Sequence, residues 1–110
     1  MIRVTIYRTG RHEYTGFDMS GHAGYDDPGK DIVCAAVSAL VINAVNSIEH
    51  FTDDETSCIS DGESGEITFR FSQIPSHDAA LLLDSMILGL EEIEDSSESE
   101  AYIDIIFKEV

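Results

Sequence analysis

Six apolar residues, Val33, Val37, Leu40, Val41, Ala44 and Ile48, recur at intervals of three and four along the middle of the chain. On a helix that turns once every ~3.6 residues they share one face. An apolar face of that length must be buried, and the flanking sequence supplies the surface for it. Ile2 to Tyr7 alternates Ile2, Val4 and Ile6 with Arg3, Thr5 and Tyr7, the period of a half-buried strand. Thr9-Gly10-Arg11 reads as a turn, and a second strand runs through Tyr14 and Phe17 to Met19, with Gly16 at a bulge position.

The same order of elements then recurs. Cys58 to Ser60 predicts a short strand and Asp61 to Gly65 a turn, and Glu66 to Phe71 forms a strand with Ile67, Phe69 and Phe71 on one side. After Pro75, Ser76 fits a helix N-cap, and Asp78 sits in the first turn, where the helix dipole favours negative charge. Ala79, Leu82, Leu83, Met86, Leu90 and Ile93 form the second apolar stripe, and Gly89 within it weakens the helix while permitting close packing. Asp95 to Glu100 reads as a solvated connector. The last strand, Ala101 to Lys108, is apolar enough for a central place in a sheet. The predicted fold is α+β, a mostly antiparallel sheet with two helices packed on one face, in the order β-β-α-β-β-α-β. At 110 residues it is expected to be a single domain, residues 1–110.

Charge narrows the range of partners. Twenty-two acidic residues against six Lys and Arg give a net charge of −16. Such a surface repels phosphate backbones, which argues against direct nucleic-acid binding, and it favours a basic partner. Solubility alone is the other reading of the same acids. Two cysteines are too few for a disulfide-stapled secreted module. No signal-peptide pattern precedes the first strand-like run. Ile32 to Val45, the longest mostly apolar stretch, is interrupted by Ser38 and Asn43 and is too short to span a bilayer. The expectation is a cytoplasmic protein with reduced thiols and no membrane contact.

The chemistry concentrates between Ser20 and Leu40, SGHAGYDDPGKDIVCAAVSAL. With Asp31 as the expected N-cap of the first helix, Cys34 falls in its first turn, where free amides and the dipole stabilise a thiolate. His22, between Gly21 and Gly24, lies just past a strand, and the Ala23 to Lys30 loop can return it to the helix start as general base and acid. Ser38, one turn after Cys34, can hold a water or substrate group, or bond back to its own helix. Spacing alone also admits that Cys34 is a packing residue on the margin of the stripe and His22 a turn residue. The segment GYDDPGKD, Gly24 to Asp31, approaches a phosphate-binding loop, but Asp31 replaces the required hydroxyl and Asp26 and Asp27 repel phosphate. His12, His22, Cys34, His50, Cys58 and His77 show no paired metal-ligand spacing, so no metal is expected.

Two segments together, Ser20-Gly21-His22-Ala23-Gly24-Tyr25 and Gly29-Lys30-Asp31-Ile32-Val33-Cys34-Ala35-Ala36-Val37-Ser38, resemble the ribosomal-processing cysteine proteases of Firmicutes and related bacteria. Length and element order resemble that family across nearly the whole chain. The resemblance implies removal of a short N-terminal extension from the large-subunit ribosomal protein L twenty-seven, a basic substrate. It implies Cys34 as nucleophile and His22 as general base and acid, with Asp31 and Ser38 in supporting places. It further implies no metal or cofactor, a homodimer, and a mobile loop carrying Gly21, Gly24 and Gly29 that orders over the site when substrate binds. An apolar groove is implied by the family's preference for aromatic residues before the cut, and Cys58 is expected to be structural. The competing function is a non-catalytic acidic module that holds a basic ribosomal or nascent protein.

Overall fold

The computed structural model describes residues 1–21, 28–62, 64–96 and 102–110, with the backbone alone for residues 28–31. Its elements are β1 (Ile2–Arg8), β2 (Tyr14–Ser20), α1 (Pro28–Phe51), β3 (Thr56–Ser60), β4 (Ile67–Phe71), α2 (His77–Asp95) and β5 (Ile103–Glu109). The strands form one sheet in the order β3-β4-β2-β1-β5. Three neighbouring pairs are antiparallel, and β1 and β5 run parallel. The architecture is therefore the expected α+β order with a mixed sheet.

One buried cluster joins the sheet to both helices. Ile2, Val4 and Ile6 of β1 lie beside Met19 and Phe17 of β2, and these beside Ile67 and Phe69 of β4. The rings of Phe17 and Phe69 stack with centroids 5.1 Å apart. Onto this surface α1 lays Val33, Cys34, Val37, Val41, Ala44 and Ile48, and α2 lays Ala79, Leu83, Met86, Ile87 and Leu90. The helices approach closely at Gly89, where an added Cβ would come within 3.0 Å of Leu40 Cδ1.

Polar residues hold the opposite face of the sheet. Arg70 Nη1 donates to Asp18 Oδ1 at 2.9 Å, Tyr7 Oη donates to Asp18 Oδ2 at 2.8 Å, and the guanidinium lies 4.7 Å from the Tyr7 ring centroid. Arg70 reaches them across Gly16, its pairing partner on β2. A Cβ on Gly16 would lie 2.1 Å from Phe69 O and 2.8 Å from Arg70 Cδ, so glycine is required by this close approach. The expected irregularity is also present, between Tyr7 and Arg8 on the partner strand.

Three expectations are corrected. The first helix begins at Pro28 rather than beyond Asp31. Proline suits a first helical position because its φ is already helical and its missing N–H would have had no partner there. The last strand is an edge, bonded among the described residues to β1 alone, and its burial falls from Ile103 toward Glu109. Finally, the apolar stretch of α1 is not too short for a membrane, since Ile32–Phe51 has the length and mean hydropathy, 1.8, of a span. What α1 does instead is bury its stripe against the sheet.

Candidate functional site

Gly21 delivers the chain from β2 toward the site. Its φ is 79°, and a Cβ would lie 2.1 Å from Met1 O, so the turn after Ser20 fits against the start of β1 only with glycine. His22, Gly24 and the rest of residues 22–27 lie outside the described residues, as does the Asp31 side chain. The expected His22–Cys34 pair and the choice of role for Asp31 fall outside with them. Asp31 does not cap α1, because the helix has already begun at Pro28. Pro28, Gly29 and Lys30 are helical, so this part of the expected mobile loop, Gly29 included, is the opening turn of α1.

Cys34 projects from the second turn of α1, six residues beyond Pro28. The dipole effect fades within the first turn, so the helix start contributes less to a thiolate than an Asp31 cap would imply. The side chain is 6% exposed and belongs to the same buried cluster as Val37 and Val41. Ser38 follows one turn later, half-buried. Both cysteines are thiols. Cys58 differs in environment: partial burial and the neighbouring Glu49 carboxylate push its pKa up, which keeps it protonated and weakly nucleophilic near neutral pH.

Within the described residues no three His, Cys, Asp or Glu side chains gather as metal ligands. A cavity of about 540 Å³ lies along the C-terminal half of α1, lined by Asn46, Ser47, Glu49, His50 and Phe51. Another of about 420 Å³ lies between the β1–β2 turn and α2, lined by residues that include Arg8, His12, Tyr14 and Asp84. Neither is lined by Cys34. In the second, Tyr14 donates to Asp84, and burial followed by that bond pushes the phenol above its ordinary value, so it acts as a donor at any working pH. The Tyr7–Asp18–Arg70 network was not singled out from the sequence. Its signal was the alternation of β1, β2 and β4, which places all three residues on the polar side.

A family model described as cysteine protease Prp matches residues 1–104, from β1 into β5. The chain belongs to the Prp family of cysteine proteases. The ribosomal processing cysteine protease Prp of Bacillus subtilis is 35% identical over 98 residues, covering 86% of this chain and 88% of that protein. Its counterpart in Staphylococcus aureus is 33% identical over 95 residues, covering 86% and 90%. Among solved structures, an essential ribosomal processing protease Prp from S. aureus bound to a substrate peptide superposes with a TM-score of 0.90. It is 30% identical, over 98% of this chain and 100% of that one. The same protease with a covalently linked product peptide gives a TM-score of 0.87 at 31% identity, with the same coverage of both chains. A Streptococcus mutans protein, SMU.848, gives 0.86 at 26% identity, covering 100% of this chain and 99% of that one. The Prp fold is thus present from end to end, and Prp membership makes the chain a peptide-bond hydrolase of the thiol class.

Proposed function

We propose that this protease removes an N-terminal extension from the bacterial large-subunit ribosomal protein L twenty-seven, with Cys34 as nucleophile and His22 as its proton carrier. The observation that carries the reading is a family match that runs through both motif segments on a fold like that of a relative bound to substrate peptide. In the proposed reaction the Cys34 sulfur attacks the scissile carbonyl carbon and the thiol proton passes to His22. Backbone amides beside Cys34 hold the oxyanion, His22 protonates the leaving amine, and a thioester remains. Water then attacks with its proton taken by His22, and the thiol is restored as the acid product leaves. Asp31 orients His22, and Ser38 holds a water or a substrate group. Because Cys34 is 6% exposed, attack requires the groups that cover it to move aside when peptide binds.

The substrate side of the reading rests on charge: a chain of −16 attracts a basic ribosomal protein. The setting is cytoplasmic, the working unit is a homodimer, and no metal or cofactor takes part. Incubation of the extended precursor with wild type and with Cys34→Ala, followed by product masses, tests the core of it. Wild type is expected to release the extension, and Cys34→Ala and His22→Ala are expected to leave the precursor intact. Cutting by Cys34→Ala overturns the assignment, and a wild type that holds the precursor uncut returns the acidic binding module. Light scattering during gel filtration reads the subunit count.

A further inference from the structure

The β1–β2 turn and the start of α2 surround the cavity of about 420 Å³, and the side chains there carry both signs of charge. Arg8 and His12 line it from the strand end and the turn, and Asp84 lines it from α2. Ile74, Pro75 and Ala80 give it an apolar side. No lining residue among those described comes from the two motif segments. Arg8 stands apart from the other arginines. Arg3 pairs with Asp104 at 3.9 Å and Arg70 with Asp18 at 2.9 Å, as suits a chain with 22 acidic residues. Arg8 is half-buried, yet its side chain makes no hydrogen bond or ion pair among the described residues. It lies instead over the Phe107 ring, 4.5 Å from the centroid, a contact that orients the planar guanidinium and uses none of its N–H donors. Such a group suits a carboxylate, which it can hold through two parallel bonds.

The turn holds His12 at the same cavity. Thr9 N donates to Glu13 O at 2.8 Å, and His12 N donates to Thr9 O at 2.9 Å. Arg11 N and Glu13 N donate to Thr9 Oγ1 at 3.2 and 3.3 Å. These bonds keep His12 at a φ of 62°, a left-handed conformation that few residues other than glycine adopt. On the α2 side Tyr14 donates to Asp84 Oδ1, which aims the carboxylate and leaves Oδ2 open among the described residues. Glu13, the other acid of the lining, accepts from Thr9 Oγ1 through Oε1. With His12 neutral, one positive charge shares the cavity with two negative ones, a poor lining for a simple anion.

We propose that this cavity binds a free α-amino acid with an apolar side chain. Its carboxylate pairs with the Arg8 guanidinium, its ammonium with Asp84 Oδ2, and its side chain rests on Ile74, Pro75 and Ala80. Three observations together select a zwitterion: the guanidinium without a partner, the oriented carboxylate on a different element, and the apolar surface they share. The site does not depend on the peptidase reading, and its test involves no peptide cleavage.

Nitrogen–proton correlation spectra of the full chain, titrated with L-leucine, provide the test. Leucine is expected to shift signals of residues 8–14 and 74–84 saturably. Leucinamide, which lacks the carboxylate, and N-acetyl-leucine, which lacks the ammonium, are each expected to bind about ten-fold more weakly. Arg8→Gln and Asp84→Asn are expected to weaken leucine by about the same factor. Asp84→Asn keeps an acceptor for Tyr14, so the lining is preserved in that variant while its charge is lost. No saturable shift up to about 20 mM leucine overturns the proposal, as do saturable shifts outside the two segments. Leucinamide binding as well as leucine makes this a cation site, and N-acetyl-leucine doing so makes it an anion site on Arg8; either result overturns the zwitterion. Unchanged affinity in both variants does the same.

Discussion

Asp18 illustrates how a single carboxylate on the open face is tuned. Burial pushes its pKa up, but the bonds from Arg70 and Tyr7 outweigh that and hold it below the ordinary carboxylate value. A depressed pKa in the folded state means that the contribution is fully present above the unfolded value of about 4 and is lost as pH falls through the lower folded value. Both partners are about one-third exposed, so the effect is modest. Thermal melts of wild type and Asp18→Asn between pH 7 and pH 2 should show a constant gap above about pH 5 that narrows below pH 4. A gap independent of pH removes the carboxylate from the explanation.

Among the elements, α2 shows how a start site is enforced. Ser76 caps the helix by accepting from Ala79 N at 3.2 Å, and Asp54, from the segment before β3, accepts from Ser76 N at 2.7 Å. The Ser76 hydroxyl donates to the other Asp54 oxygen at 2.5 Å, and these bonds lower the Asp54 pKa. Ser76→Ala should cost about 1 kcal/mol in denaturant unfolding, and less in an Asp54→Ala background because the two residues share a bond. Ser76 was legible as a cap because serine before an apolar stripe of helical period has few other uses. The start of α1 was not, since Pro28, Gly29 and Lys30 are loop-forming residue types and only tertiary context makes them a first turn. The edge position of β5 was hidden for a different reason. Ile103, Ile105 and Phe107 say that one face is covered, while strand neighbours are decided by pairing that leaves no local pattern. At the edge itself, Glu94 of α2 accepts from Ile105 N at 2.8 Å, covering a backbone donor on the side away from β1.

At the scale of the molecule, charge acts on both stability and encounter. Sixteen excess negative charges repel one another in the folded state, and salt screens them. Raising sodium chloride to about 0.5 M should therefore raise the melting temperature while lowering kcat/KM on a cationic substrate. Movement of both in the same direction contradicts this account. Composition made that dual behaviour legible, and periodicity the two layers. The pairing of His22 with Cys34 came from resemblance, because two residues on separate segments carry no signal of their distance.

The parallel contact between β1 and β5 also sets an order of events in synthesis. Ile2 N donates to Tyr102 O at 2.7 Å, and the pairing continues from Ile2 with Ile103 to Arg8 with Glu109. The first of these strands to be made thus waits for the last of them, and gains its second neighbour only when residues 103–109 have been made. An edge of β1 stays unpaired until β5 arrives, so closing that side of the sheet is a late and long-range step, and the waiting edge is the one exposed to wrong partners in the meantime.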